Sequence, residues 1–390
     1  MKFRSIALLM IAEVAALSLW FVSAAILPEM LREAAMSPVR QAMLSSGVQI
    51  GFVVGALASS ILGLADRYDP RRVFAVCAVT AGLCNAILLI AEPGGASAIF
   101  ARFATGALLA GVYPVGMKIA VGWGEKDRGT LVGLLIGALT LGSALPYLIS
   151  TTGGADWRFT VTIASIAAIS GGLLALLVQL GPHYAKAARF QISAISLAWH
   201  DRRIRYAYGG YLGHMWELYV MWAWIAAACA VSFSATMTAE SAVAAATMLA
   251  FVSIATGGVF SIIAGLFADR IGKAEVAGIA MAVSGLAGLA TALTFGGPVW
   301  ITVIVVLVWG ASVIPDSAQF SAMVADAAPQ EAAGSLMTFQ TALGFALTFF
   351  TVQIAPWLAA QTGWALVIAL TALGPAFGIF CMVRHRRIAD

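Results

Sequence analysis

The chain has 390 residues, of which 61% are apolar and only 10% charged, with a formal net charge of +4. Soluble domains carry about 45–50% apolar and about 25% charged residues, so this composition excludes a water-soluble globular domain. Apolar runs of about 20 residues recur along the whole length, enough for a helix to cross a hydrocarbon core of roughly 30 Å, and the fold class expected is an all-α, multi-pass membrane protein.

In chain order, Lys2 and Arg4 precede a first apolar run at 5–27. It has the flanks of a secretory signal but is too long for a cleaved apolar region, and further spans follow, so it reads as a retained first helix. Charged, Gly and Pro punctuation then gives spans at 44–64, 72–91, 97–119, 129–149, 158–180, 205–231, 242–267, 275–294, 299–322, 335–356 and 364–383, twelve in all. Between spans two and three stands "GLADRYDPRR" (63–72), with five formal charges; "GLFADRIGK" (265–273) echoes it between spans eight and nine. Spans four and ten contain Pro114 and Pro315. Each removes a backbone hydrogen bond and is expected to break its helix. The longest connection, "GPHYAKAARFQISAISLAWHDRRIR", divides the chain into an N-terminal half (1–180), a linker (181–204) and a C-terminal half (205–390).

Seventeen of the 22 Lys and Arg residues fall on one set of alternating loops and the two termini, while the opposite loops hold only Arg32, Arg40 and Arg158. The positive-inside rule therefore places both termini in the cytoplasm. Short loops fit a bacterial inner membrane. The four cysteines, Cys77, Cys84, Cys229 and Cys381, stand in apolar surroundings without metal-ligand spacing, so they read as small core hydrophobes and no metal or cofactor is expected.

The two halves repeat. Glu13 with Trp20 matches Glu217 with Trp224, "VYPV" at 112–115 matches "VIPD" at 313–316, "RGTL" matches "AGSL" and "DWR" matches "GWA", at offsets of 201 to 207 positions. Two such halves, with G-x-x-x-D-R after spans two and eight and R-x-x-x-G as Arg102 and Gly106 in span four, resemble the major facilitator superfamily of secondary transporters. The resemblance covers essentially the whole chain. It implies two pseudo-symmetric six-helix bundles around a central cavity, working by alternating access. It also implies that Gly63, Asp66, Arg67, Arg71 and Arg72, with Asp269 and Arg270 in the second copy, form gating latches. In the first, Asp66 would face the positive end of the span-eleven helix dipole; the basic residues can alternatively anchor the topology at anionic headgroups.

A charge inside the bilayer costs at least roughly 2.5 to 3.5 kcal/mol on insertion scales. The residues that bear it are Glu13, Arg102, Lys118, His214, Glu217 and Asp316, all in spans one, four, seven and ten, which in the family line the cavity. Helical spacing groups Glu13 with Trp20, Arg102 with Gly106 and Tyr113, His214 and Glu217 with Trp224, and Trp309 with Ser312, Asp316 and Gln319. Three acids against Arg102 alone would leave a charge of about minus two, so at least one carboxyl is expected to be protonated at neutral pH. Glu13, Glu217 and Asp316 are the candidate proton-coupling acids, with His214 as a relay or a simple hydrogen-bond partner; for each glutamate a static ion pair or hydrogen bond is the alternative. Arg102 needs an anion, either one of these acids or a substrate carboxylate. Lys118 either snorkels to the interface or touches substrate. Tyr113, Trp20, Trp224, Trp309, Ser312 and Gln319 complete the candidate substrate wall, which suits a solute with an apolar or cationic part.

The nitrate-porter arginines of spans two and eight are missing, and the span-five pattern of proton–drug antiporters survives loosely as Gly137, Gly142 and Pro146. The expected function is a proton-coupled secondary active transporter of a small organic solute, and an enzyme is not expected, since HExxH, GxSxG and phosphate-loop motifs are missing. The alternatives are a drug or metabolite efflux antiporter and a transport-inactive membrane sensor or assembly partner. The partners expected are a small solute, protons and the lipid bilayer, with no nucleic acid, and a monomer is the expected state.

Overall fold

The computed structural model describes residues 1–63, 67–124, 128–153, 156–184 and 191–389. Twelve helices are long and apolar enough to span a membrane: α1 Lys2–Glu33, α2 Pro38–Leu62, α3 Pro70–Leu89, α4 Ala96–Val121, α5 Thr130–Thr152, α6 Trp157–Ala175, α7 Arg202–Phe233, α8 Ala239–Ala268, α9 Lys273–Leu293, α10 Val299–Ala327, α11 Gln330–Thr362 and α12 Trp364–Ile388. Each corresponds to one expected span. Several run further: α7 has 32 residues and α11 has 33, because polar and charged ends remain helical after they leave the hydrocarbon. The starts are chemically marked. Ser37, Asp69, Asp156, Asp201 and Thr238 each accept a hydrogen bond from an N–H in the first turn of the helix that follows. Pro38 and Pro70 occupy first-turn positions, where a missing N–H costs nothing. Gly63 closes α2 with a φ of 61°, a left-handed conformation that favours glycine.

Four spanning helices are broken. Both proline breaks occur where expected, between Leu109 and Tyr113 in α4 and between Val313 and Ser317 in α10. A third break, in α12 between Thr371 and Leu373, lies just before Pro375. The fourth, in α1 between Leu17 and Val22, contains no proline or glycine. Its counterpart α7 is continuous.

Helices α1–α6 and α7–α12 form two bundles, which meet chiefly where α2 lies along α11 and α5 along α8, with α1 against α7. At the end remote from the basic loops the seam is tight. Ser46 Oγ donates to Gln353 Oε1 at 2.9 Å, Gln353 Nε2 donates to the Val39 carbonyl at 3.4 Å, and the Tyr147 hydroxyl donates to the Trp222 carbonyl at 2.5 Å. A methyl group at Gly258 would sit 3.2 Å from Thr140 Cβ. Toward the basic end, methyl groups at Gly133 of α5, Gly265 of α8 and Gly334 of α11 would meet nothing within 4 Å.

Helices in both bundles touch backbone to backbone, as Gly213 of α7 does Gly374 of α12 and Gly171 of α6 does the Ala12 carbonyl of α1, and one such contact recurs at equivalent helices of the two halves. Any Cβ at Gly51 or Gly55 of α2 would strike α4 at Phe103 or Ala107, and a Cβ at Gly106 would strike the Val48 carbonyl. The C-terminal bundle repeats this with Gly257 of α8 against Gly310 of α10, itself against the Ser253 carbonyl. Small residues drive helix association in lipid by letting backbones approach, so the glycine of R-x-x-x-G has a packing reason. Gly106→Val or Gly310→Val is expected to cost about 1–3 kcal/mol through overpacking and to lower the melting temperature of the purified protein, whereas Gly334→Ala should leave it unchanged.

Candidate functional site

The break in α1 explains the buried arginine. At Ser18–Phe21 the chain tightens, with Leu19 N donating to Ala16 O at 3.3 Å and Trp20 N to Leu17 O at 3.0 Å. Backbone carbonyls freed inside a membrane must find donors from neighbouring helices. Arg102 Nη2 donates to the carbonyls of Leu19 and Trp20 at 2.8 and 2.9 Å, and Nη1 donates to Asn85 Oδ1 at 2.7 Å. Asn85 Nδ2 passes the chain on to Ser165 Oγ at 2.9 Å. Arg102 is fully buried. Its acceptors are carbonyls and an amide; among the described residues none is a carboxylate. The negative end of the first half-helix of α1 adds a favourable dipole term for the guanidinium.

Glu217 is the C-terminal counterpart. Its Oε2 accepts from Ser284 Oγ at 2.9 Å and its Oε1 from Trp309 Nε1 at 2.7 Å. Thus α7 is tied to α9 and α10 much as α1 is tied to α3 and α4, with an acid in place of the base and on the first helix of the half rather than the fourth. Three residues expected in the substrate wall are engaged inside this bundle. Trp309 serves Glu217, Trp224 Nε1 donates to the Val352 carbonyl of α11 at 3.1 Å, and Ser312 Oγ returns to the Val308 carbonyl of its own helix at 2.7 Å. Gln319 is buried one turn after Asp316, to whose carbonyl its N–H donates at 3.0 Å.

Asp316 sits in the break of α10, and its Oδ1 lies 2.8 Å from His214 Nδ1, though off the in-line direction of a hydrogen bond. The imidazole stacks on Tyr211 and tilts against Phe320, with ring centroids 6.1 and 5.8 Å apart. Those partners all belong to the C-terminal half. Glu13, on the first half-helix of α1, is fully buried, and among the described residues neither oxygen has a hydrogen-bond partner. Its Oε2 lies against Gly116 in the second half of α4, one turn beyond Tyr113, where a Cβ would overlap it.

The bundles meet at an aromatic cluster. Trp20 and Phe52 from the N-terminal half face Tyr219 and Phe345 from the C-terminal half, with centroid distances of 5.0 Å for Trp20–Phe52, 4.7 Å for Phe52–Phe345, 5.5 Å for Trp20–Phe345 and 5.2 Å for Tyr219–Phe345. Phe21 extends it to Trp222 at 5.8 Å. Of the substrate wall read from sequence, Trp20 lies here. Phe52, Phe345, Asn85 and Ser284 carry no motif; a polar residue in the apolar part of α3 or α9, where Thr80 and Thr291 also stand, is a weak signal for the last two.

At the basic end, Arg71 forks onto Asp69 at 3.0 and 2.6 Å and reaches the Val178 carbonyl beyond α6 at 3.3 Å. This fork holds the Asp69 carboxyl below its ordinary range. Arg67 N donates to the Gly63 carbonyl at 3.0 Å, and Arg72 and Arg270 are exposed. In the second copy Lys273 pairs with Asp326 at the end of α10. Asp66 and the side chain of Asp269 lie outside the described residues. Lys118 stands over the Tyr184 ring of the linker, 5.2 Å from its centroid.

The family model described as Major Facilitator Superfamily matches residues 8–242. A gallate transporter of Pseudomonas putida is 33% identical over 147 residues, covering 33% of this chain and 31% of that protein, so the chain matches about a third of the length of this curated relative. Among solved structures, the nucleoside transporter NupG aligns with a TM-score of 0.73 at 15% identity, over 98% of this chain and 99% of that one. The xylose transporter XylE from E. coli, in a partially occluded inward-open conformation, aligns with a TM-score of 0.73 at 14% identity, over 98% of both chains. A D-xylose–proton symporter aligns with a TM-score of 0.69 at 16% identity, over 96% and 97% of the two chains. These likenesses establish the two-bundle fold.

Removing the Arg102 side chain strands two carbonyls and an amide in the bundle interior. Arg102→Ala is expected to cost about 3–5 kcal/mol, the range for breaking a buried charged contact, and Asn85→Ala about 1–3 kcal/mol. Thermal unfolding followed with a thiol-reactive dye checks both, since Cys229 and Cys381 are buried until the fold opens.

Proposed function

Because the chain belongs to the major facilitator superfamily, we propose that it is a proton-coupled secondary active transporter of a small organic solute, most specifically an aromatic acid. The two halves, 1–180 and 205–390, rock about the seam while the linker 181–204 joins them, and the basic end faces the cytoplasm of a bacterial inner membrane. The single observation that carries proton coupling is Glu13. A buried carboxylate without hydrogen-bond donors pays a desolvation penalty far above that of a neutral acid, so a proton is the neutraliser this site accepts. The His214–Asp316 pair in the broken α10 is the second proton-handling group. Glu217, held by Ser284 and Trp309, anchors α7 to α9 and α10, and of the three candidate acids it is the one whose two oxygens both have hydrogen-bond donors.

The substrate class rests on two supports. The aromatic cluster of Trp20, Phe52, Tyr219 and Phe345 draws equally on both halves, as a site remade by each swing requires, and suits a flat apolar body. The partial likeness to a gallate transporter points to an aromatic ring bearing a carboxylate. Arg102 is committed to the α1 carbonyls, so it positions Trp20 and Phe21 in the seam and leaves substrate contact to others.

Purified protein in liposomes, offered gallate, related hydroxybenzoates, amines and dyes under an imposed pH gradient, tests the reading. Glu13→Gln and Asp316→Asn should each abolish gradient-driven accumulation while solute exchange persists. Glu217→Gln should keep accumulation and lose thermal stability. Accumulation of an aromatic acid that is indifferent to the pH gradient, or unaffected by both Glu13→Gln and Asp316→Asn, would refute the coupling. Export of dyes in exchange for protons would favour the efflux antiporter, and an absence of any flux a sensor or assembly partner.

A further inference from the structure

Away from the seam, a cavity of about 290 Å³ opens at the basic end of the C-terminal bundle. Its mouth is formed by Trp199, on the single helical turn Leu197–His200 of the linker, and by Arg205 at the start of α7; its walls include Leu212 of α7, Leu343 of α11, and Phe377 and Phe380 of α12. Leu212 is seven residues beyond Arg205, which is about 10 Å along a helix axis. The cavity therefore runs from a charged rim down into hydrocarbon depth.

The rim and the interior differ chemically. Arg205 Nη1 donates to the Trp199 carbonyl at 3.2 Å, which fixes the guanidinium at the mouth. Arg384 of α12, outside the lining itself, lies over the ring of the lining residue Phe380, 5.3 Å from its centroid and one turn nearer the basic end. Trp199, Phe377 and Phe380 are each at least half exposed. An indole at the interface with guanidinium groups beside it is the arrangement that holds a headgroup, and basic pockets between spanning helices on the positive side take anionic headgroups. Guanidinium pairs with phosphate through parallel N–H donors. The apolar shaft beneath has the chemistry of an acyl chain.

We propose that this cavity is a binding site for one anionic phospholipid, with a phosphate at Arg205 and Arg384 and one acyl chain between α7, α11 and α12. Charge complementarity at the rim and the shaft beneath it select this occupant over a peptide or a free anion. Its walls come from the linker and from α11, a helix of the seam, so a bound lipid bridges the linker to the C-terminal bundle.

The test uses the full-length purified protein stripped of lipid, with thermal unfolding measured after adding phosphatidylglycerol, phosphatidylcholine with the same acyl chains, or glycerol phosphate. Phosphatidylglycerol is expected to raise the melting temperature more than phosphatidylcholine, and glycerol phosphate to leave it unchanged. The excess due to phosphatidylglycerol should fall to less than half in Arg205→Gln and in Arg384→Gln, and survive in Arg387→Gln, an exposed arginine at the same end but outside the cavity. Equal stabilisation by the two lipids, an excess retained in the Arg205→Gln/Arg384→Gln double variant, or stabilisation by glycerol phosphate alone would each overturn the proposal.

Discussion

A backbone carbonyl inside a bilayer cannot turn to water, and the break at Ser18–Phe21 would be untenable without donors brought from elsewhere in the bundle. Arg102 supplies them. One guanidinium reaches two carbonyls of α1 and the amide of α3, and through Asn85 the contact continues to α6. Three consequences follow from that fork. The break turns Trp20 and Phe21 toward the opposite bundle; it leaves Glu13 on a separate half-helix against α4; and it makes the first bundle depend on a cation that touches no acid among the described residues.

The second bundle solves the corresponding problem differently. Helix α7 is unbroken, so it has no stray carbonyls to satisfy, and the buried ionisable group there is the Glu217 carboxyl, held by a hydroxyl and an indole N–H. The two halves share the close backbone contacts of α2 with α4 and of α8 with α10, but one polar centre is built on a base and the other on an acid. A duplicated framework thus keeps its packing and diverges in its electrostatics. The groups proposed to exchange protons end up unequally placed, with Glu13 in one half and the His214–Asp316 pair in the other.

Much of this was legible in the sequence, and the limits have physical causes. Twelve spans follow from apolar length, and the breaks in α4 and α10 follow from Pro114 and Pro315, because a missing N–H is a local fact. The break in α1 is not local. Nothing in "LSLWFV" announces it, since the donor that satisfies it is a side chain more than eighty positions away. Helical spacing groups Glu217 with Trp224, yet periodicity tells which residues share a face and not which neighbour each one meets. Both turn to partners within their own bundle. Phe52 and Phe345 looked like ordinary apolar residues until the seam brought them to Trp20.

Glu13 and Gly116 occupy one volume between them. The carboxylate lies where any side chain on α4 would have to go, so the two positions cannot enlarge independently. Among natural relatives, a bulkier residue at the glycine should travel with a shorter or uncharged residue at the acid, and an acid retained without its glycine would have to swing toward the seam. Drift at this spot is therefore expected to be correlated, a compensating couple in which the smaller member decides how much room the larger one has.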